Sequence, residues 1–172
     1  STRCFSCSYL VTTNNIDSKK YCPSCGTEVK LPEIPEKEVE AVGAAKTIEE
    51  ILKELGKDVK LAREGANNWS VKEGSAKIKI TYNPDNFFIA GDAYLCQLPS
   101  DAQKIKPLYQ FLLEENHRTN GLVLSCVKQN IVLSSIIYDL DMTKESGANI
   151  FRNLFRQADY YDDFLKKEYS CT

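Results

Sequence analysis

The chain has 172 residues, of which 42% are hydrophobic and 27% are charged, and its formal net charge is −2. That length suits one ordinary domain with a small appendage, and the charge excludes a global basic field that would gather nucleic acid or anionic lipid. No apolar run approaches the roughly 18 residues that a membrane helix needs, and no secretory signal pattern opens the sequence, so we expect a cytoplasmic protein.

Four of the seven cysteines form two identical C-x-x-C pairs near the start of the chain. Two residues between cysteines let both sulfurs face one ion from a tight turn, and two such turns complete the tetrahedron that Zn²⁺ prefers. Pro23 presets the second turn, and Gly26 supplies the positive φ that follows its second cysteine. The predicted ligands of one structural Zn²⁺ are Cys4, Cys7, Cys22 and Cys25.

Other interpretations of the cysteine pairs stay open. Two disulfides would use the same residues, but no secretory signal indicates an oxidising compartment. A thioredoxin-like redox pair needs a βαβ context, which so short a stretch lacks, and iron is the alternative metal. Four thiolates close the coordination shell, which favours a structural over a catalytic ion. Residues 1–30 resemble a zinc ribbon, in which residues 9–11 would pair with residues 19–21.

The charge of this ribbon bears on nucleic-acid binding. Its four basic residues are Arg3, Lys19, Lys20 and Lys30, and its two acidic residues are Asp17 and Glu28. The side chains therefore sum to +2, which four thiolates and one Zn²⁺ would cancel. Phosphate binding needs clustered basic side chains, and only Lys19 and Lys20 are adjacent. We therefore favour a protein-contact or spacer role, with a nucleic-acid-associated regulator as the alternative.

Residues 31–46 have the composition of an acidic, proline-containing linker. Pro32 and Pro35 disfavour helix just before themselves, and four glutamates face only two lysines. Three segments follow from this boundary: a zinc ribbon at 1–30, the linker at 31–46 and a larger domain at 47–172.

The larger domain opens with a predicted helix and three predicted strands. Thr47 and Glu50 match a capping box, an apolar stripe follows, and Gly56 ends the helix. The first strand ends near Trp69, Ser70 and Val71, and the second, residues 76–82, alternates as a half-buried strand does. The third, residues 87–98, carries a predicted bulge at Gly91 and Asp92.

A helix, a hairpin and a last helix complete the predicted order. Ser100 and Gln103 offer a capping box, and the helical stripe begins at Pro107 or kinks there. Residues 121–127 and 131–140 form a hairpin whose apolar residues crowd both faces, which favours a central position in the sheet. Thr143 caps a helix over 144–169, whose polar face carries Asp159, Asp162, Asp163 and Lys166.

The order α-β-β-β-α-β-β-α indicates an α+β domain with helices on one face of an antiparallel sheet. It resembles the type III secretion chaperone-like fold, and YbjN-type domains in particular. The stretches that carry the resemblance are AYLCQLP, LYQFLLEENH and ANIFRNLFRQADYYDDFL. The resemblance implies a bacterial, homodimer-prone domain without enzymatic activity, which binds a protein or peptide partner.

Candidate catalytic residues are few. A nucleophilic triad would need Cys96 or Cys126 beside His117, the only histidine, but a cysteine in an apolar strand behaves as a small hydrophobe. Asp139 and Asp141 would face one side if the strand continued, as paired carboxylates must; a strand end and helix start suit them better. We therefore predict no enzymatic activity and assign no role to Cys96, Cys126 or Cys171.

Overall fold

The computed structural model describes residues 2–11, 20–30 and 41–172. The chain divides into two compact units, Ser1–Val39 and Glu40–Thr172. Most of the predicted linker lies outside the described residues, and the limits of the three predicted segments stay predictions. None of the helices formed by the described residues combines the length and apolar composition that crossing a bilayer requires.

The first unit contains very little regular structure in its described part. Strand β1 (Thr2–Arg3) pairs antiparallel with β2 (Leu10–Val11), and Tyr21 forms an isolated bridge with Glu28. The predicted pairing of residues 9–11 with 19–21 is therefore wrong. Each C-x-x-C turn instead brings its own flanking residues together, so each cysteine pair lies at the end of a separate short hairpin.

The second unit has the predicted α+β architecture. Its six strands form one antiparallel sheet in the order β3-β4-β5-β6-β8-β7. The elements are α1 (Ala44–Glu54), α2 (Val59–Ala62), β3 (Arg63–Gly65), β4 (Asn68–Glu73), β5 (Ala76–Asn83), β6 (Phe88–Gln97), α3 (Ala102–Glu115), β7 (Val123–Val127), β8 (Asn130–Tyr138), a 3-10 turn (Asp139–Asp141) and α4 (Lys144–Tyr169). The short elements α2 and β3 were not predicted, although Asp58 caps α2 by accepting from the Lys60 backbone N–H.

The core lies between one face of the sheet and helix α4. The helix buries one apolar stripe, which consists of Phe151, Leu154, Phe155, Ala158, Tyr161 and Leu165. It crosses β6 at Gly91, where an added Cβ would lie 2.7 Å from Leu154 Cδ2. A side chain at residue 91 would therefore force Leu154 to shift. The predicted bulge at this position is wrong; the register of β6 against β8 shifts instead between Tyr94 and Cys96.

Two predicted helix caps are wrong. Helix α1 begins at Ala44, three residues before the predicted start, and Gly43 precedes it without a side-chain cap. Helix α3 is capped by Asp101, whose Oδ1 accepts from the Gln103 backbone N–H at 2.9 Å, and not by Ser100. Because Ser and Asp are both strong caps, adjacent candidates cannot be separated by spacing alone.

The last helix begins as predicted. Thr143 Oγ1 accepts from the Ser146 backbone N–H at 3.0 Å, and Ser146 Oγ accepts from the Thr143 backbone N–H at 2.9 Å. This reciprocal pair satisfies two donors at the helix start, and α4 spans the predicted residues.

The predicted central position of the hairpin is wrong for one of its strands. Strand β7 lies at the edge of the sheet, and only β8 lies between two others. Val123 and Val127 of β7 are exposed. Their apolar character marks an uncovered surface, which composition cannot distinguish from a covered one.

Candidate functional site

The four predicted cysteines lie together in the first unit. Their Sγ atoms are all within 4.8 Å of one another. The Sγ atoms of Cys4 and Cys25 are 3.6 Å apart, and those of Cys7 and Cys22 are 3.7 Å apart. A tetrahedral site with metal–sulfur bonds of about 2.3 Å has edges of about 3.8 Å, whereas a disulfide measures about 2.05 Å. The four sulfurs could therefore bind one metal ion, and they are not joined as disulfides.

Backbone hydrogen bonds hold the first turn. The Ser8 N–H donates to the Cys4 carbonyl at 2.8 Å, and the Cys4 N–H donates to the Tyr9 carbonyl at 2.9 Å. Ser8 has φ of 61°, in the left-handed region. The Arg3 guanidinium donates to the Ser8 carbonyl at 3.1 Å, which ties β1 to this turn.

The second turn repeats this backbone pattern. The Gly26 N–H donates to the Cys22 carbonyl at 2.9 Å, and the Cys22 N–H donates to the Thr27 carbonyl at 2.9 Å. Gly26, with φ of 69°, occupies the position of Ser8 and confirms the predicted turn. The Thr27 hydroxyl lies 3.2 Å from Cys25 Sγ, and hydrogen bonds from Thr27 lower the pKa of the Cys25 thiol to about 6. This favours the thiolate, the form that binds metal.

Burial divides each cysteine pair in the same way. Cys4 and Cys22 are buried, whereas Cys7 and Cys25 are exposed. The buried pair packs with Val11 and Val29 as the hydrophobic cluster of the described part of this unit. Two valines are too small a core for independent folding, so within the described part of this unit the cysteine cluster supplies most of the organisation.

Exposed side chains surround the cysteine cluster. Phe5, between the first two cysteines, is 84% exposed, and it lines a shallow depression with Arg3 and Lys30. Of the predicted basic pair, Lys20 is exposed and Lys19 lies outside the described residues.

The second unit leaves one sheet face without helices. Phe88, Ile136, Tyr138 and Val123 lie on this face, which we call the open face. Ile136 is 65% exposed and Tyr138 is 60% exposed. Phe88 stands opposite Tyr138 in the register of β6 and β8, so apolar side chains are adjacent there. On its other side β7 has no strand partner within the described residues.

Helix α3 is also incompletely covered. Of its 14 residues only Leu108 and Leu112 are buried. Leu113 is 74% exposed, and Tyr109 is also exposed. A helix with so narrow a buried stripe presents an apolar surface for a further contact.

Within the described residues, the candidate catalytic residues do not form a common catalytic site. His117 is exposed in the turn after α3. Asp139 and Asp141 lie in the 3-10 turn that follows β8, as the strand-end interpretation predicted. Asp139 Oδ2 accepts from the Tyr82 hydroxyl at 2.8 Å, which raises the pKa of Tyr82. Among the described residues, the ribbon cysteines are the single group of three or more His, Cys, Asp or Glu side chains placed to share a cation.

A buried polar cluster was missed. Asp162 was predicted on the polar face of α4, but it is 2% exposed. Lys166 Nζ donates to Asp162 Oδ2 at 2.8 Å and to Ser75 Oγ at 2.9 Å. The bond to Asp162 raises the pKa of Lys166, so the amine stays protonated and cannot act as a base towards Ser75. Spacing from Ala158 was the available signal, because position i+4 shares its helix face.

Comparisons with known proteins bear on the second unit. No family model matches the sequence, and no curated protein matches it. Among solved structures, YbjN of E. coli is 14% identical with a TM-score of 0.54, over 73% of this chain and 92% of YbjN. The ExsC–ExsE complex matches at 16% identity and a TM-score of 0.53, over 70% of this chain and 91% of that chain. The HopA1–SchA chaperone–effector complex matches at 8% identity and a TM-score of 0.52, over 68% of this chain and 91% of that chain.

At these identities the likeness establishes the fold. The predicted resemblance to YbjN and the secretion chaperones is confirmed at that level, as is the mixed helix and antiparallel-sheet class. The cysteine cluster is consistent with a zinc ribbon.

Proposed function

We propose that the chain is a non-enzymatic, cytoplasmic protein-binding module. A structural Zn²⁺ organises the ribbon, and the chaperone-like domain binds a polypeptide partner. The observation that carries this proposal is the open face, where Ile136 and Tyr138 are mostly exposed in a sheet whose opposite face is packed. Contiguous exposed apolar side chains mark protein interaction sites. Two of the similar folds, ExsC–ExsE and HopA1–SchA, were solved as complexes.

The partner segment that fits this surface is extended and apolar at alternate positions. A strand added beside β7 would satisfy the outer backbone groups of that edge strand. Its alternate side chains would then lie on the open face, next to Val123 and Val127, because side chains in a strand alternate between faces. This is recognition by backbone pairing and apolar contact, and it requires no reaction.

A homodimer through α3 is part of the proposal. Tyr109 and Leu113 are exposed on a helix that buries only two residues. If α3 packed against α3 of a second copy of the chain, Leu113 of each copy would be covered. Sedimentation of the intact chain should show a dimer, and Leu113→Asp should shift it to a monomer; an unchanged state in that variant would reject α3 as the interface.

Zinc is the metal proposed for the cysteine cluster. Four thiolates at tetrahedral spacing suit Zn²⁺, and its binding would supply folding free energy of the order of 10–16 kcal/mol, as in zinc-finger peptides. Cys4, Cys7, Cys22 and Cys25 would occupy all four positions, which leaves no open position for a substrate.

Affinity capture with the intact chain tests the partner-binding proposal. Ile136→Asp places a charge on the open face, and Leu61→Asp places one at a leucine on α2 that is even more exposed. We expect the first variant to lose a captured protein that the wild type and Leu61→Asp retain. Equal capture by all three would contradict a role for the open face, and the metal content of each sample controls for ribbon folding.

Nucleic-acid binding by the ribbon is the second candidate. Exposed Phe5 lines a depression with Arg3 and Lys30, and with the acidic Glu28. Proteins that bind single-stranded nucleic acid combine aromatic and basic side chains in this way. Binding should weaken as salt rises and should be abolished by joint substitution of Lys19 and Lys20 with glutamate. Absence of binding to single-stranded oligonucleotides at low salt would reject this candidate.

A further inference from the structure

The open face carries basic residues beside its apolar ones. Lys72 on β4 and Lys77 and Lys79 on β5 are exposed. The strand register places all three on the face that bears Ile136, because side chains two residues apart in a strand share a face. Ile78, between two of these lysines, is buried in the core on the opposite face. We call the three lysines the basic zone.

The basic zone is not neutralised within the described part of the chain. None of its lysines lies within ion-pair distance of a described carboxylate. Lys79 stands opposite Asp92 in the register, but Asp92 Oδ1 accepts from the Ser134 hydroxyl at 2.6 Å. Lys79 Nζ instead lies 5.6 Å from the centre of the Tyr94 ring. The positive charge of the zone therefore faces outward.

The arrangement of these lysines is unfavourable for the sheet itself. Lys72 and Lys77 are directly opposite each other in the register of β4 and β5, where like charges destabilise a sheet. Lysines on edge strands protect a sheet from aggregation. Strand β5, however, lies between β4 and β6, so edge protection does not account for Lys77 or Lys79. A bound anion would relieve the repulsion between these side chains.

We propose that the basic zone binds an acidic stretch of an extended polypeptide partner, whose apolar stretch lies on the open face at Val123 and Val127. This inference rests on the proposed function and adds the charge of the partner. The lysine ammonium groups would pair with glutamate or aspartate side chains of the partner. The contact requires no reaction.

The sheet order sets the spacing of the two stretches in the partner. A segment paired with the outer edge of β7 lies four strand spacings from β5, which is about 19 Å. An extended chain rises about 3.3 Å per residue, so about six residues separate the paired stretch from the acidic one. The segment that joins them crosses the open face and passes Ile136.

The neighbours of the basic zone favour a polypeptide over a nucleic acid. The zone contains lysine only, without the planar arginine fork that suits phosphate. The adjoining exposed residues Val123, Val127 and Ile136 are aliphatic and suit polypeptide side chains, whereas bases stack on aromatic rings.

The test titrates the intact, isotope-labelled wild-type chain with two synthetic peptides that differ only in charge. Each peptide has alternating valines, a spacer of about six serine and glycine residues, and a run of either glutamates or glutamines. The amide NMR signals of Lys77, Lys79 and Ile136 report binding. We expect the glutamate peptide to bind about tenfold more tightly, because modest exposed ion pairs add over three lysines. The preference should fall as salt rises.

Two paired substitutions separate local charge from overall charge. The double variant Lys77→Gln, Lys79→Gln should bind both peptides equally, as weakly as the wild type binds the glutamine peptide. The double variant Lys53→Gln, Lys106→Gln changes two exposed lysines on helices and alters the net charge by the same amount. It should keep the preference of about tenfold. The amide spectrum of each variant verifies that it folds.

The outcomes distinguish this inference from the proposed function. Equal binding of both peptides by the wild type, with shifts at Ile136, would overturn the acidic partner and leave partner binding by the open face in place. Glutamate-peptide binding that Ile136→Asp retains would contradict the role of the apolar residues and keep the basic zone. Absence of binding by either peptide, or tighter binding of a thymidine oligonucleotide at Lys77 and Lys79, would overturn the inference.

Discussion

Each of the two units of this chain is stabilised internally by a different kind of interaction. In the second, about thirty buried apolar residues form a continuous core between sheet and helices. In the described part of the first unit, two valines pack with two cysteines. The other ordered feature of this unit is the close arrangement of the four cysteine sulfurs. The free energy that burial contributes to folding scales with the buried apolar area, so a small module gains little folding free energy from it. The comparison explains why a metal ion, which the four cysteines could bind, would contribute more to folding of the first unit than of the second.

Removing one ribbon cysteine should have the largest effect. Cys22→Ser deletes a buried ligand, and most of the metal-dependent folding free energy of about 10–16 kcal/mol is lost with it. We expect residues of the first unit to lose their dispersed NMR signals while those of the second unit stay unchanged. A chelator should have the same effect on the wild type.

Unfolding of both units in the Cys22→Ser variant would contradict this comparison. If Cys22→Ser also lowered the stability of the second unit, the two units would not be independent. Cys126→Ser, which changes an exposed cysteine on β7, is the matched control and should leave metal content at the wild-type value.

Phe151→Ala should have the second largest effect, and this effect should fall on the second unit. Phe151 is fully buried on the core-facing side of α4, and large-to-small changes of a buried aromatic cost about 3–5 kcal/mol. Denaturant unfolding should show that loss in the second unit, with metal content unchanged. Phe5→Ala, at an exposed phenylalanine, should leave the unfolding free energy of the second unit unaltered; an equal loss from both would contradict the assigned core.

Asp162→Ala probes the polar part of the core. It removes the buried acceptor of Lys166 and Ser75, and breaking a buried ion pair costs about 3–5 kcal/mol. Because Lys166 is partly exposed and can be solvated, we expect about 2 kcal/mol, measured by urea denaturation. Asp163→Ala changes an exposed neighbour and should stay within about 0.5 kcal/mol of wild type. Equal effects of the two would mean that burial of Asp162 contributes nothing.

Thr27→Val should have the smallest effect, and it falls on the metal affinity. The variant removes the hydroxyl beside Cys25 Sγ, and loss of a hydrogen bond to a metal ligand weakens binding by about tenfold or more. Competition with a chromophoric chelator measures this change. Thr27→Ser keeps the hydroxyl and should bind as the wild type does; equal weakening in both would assign the effect to packing.

The features predicted correctly are those that a few neighbouring residues determine. The spacing of the cysteines correctly predicted that the four sulfurs lie together, and Thr143 correctly predicted the start of α4. Alternation over residues 76–82 identified β5 because its two faces meet different environments. Each of these signals lies within one turn or one strand, and at these positions no distant contact overrides it.

The features predicted wrongly depend on which distant element covers a residue. Val123 is apolar whether its strand is central or at an edge, and only the sheet order shows that it is exposed. Asp162 is polar, yet it is buried, and Ser75 from another part of the chain donates to its Oδ2. The predicted ribbon pairing was wrong for a different reason, because the residues that flank each cysteine turn pair with each other.

The metal content of the intact chain, together with zinc X-ray absorption, tests the central claim most directly. The account predicts one zinc per chain, surrounded by four sulfur atoms at about 2.3 Å. A preparation without stoichiometric metal, or disulfide bonds among Cys4, Cys7, Cys22 and Cys25, would contradict it.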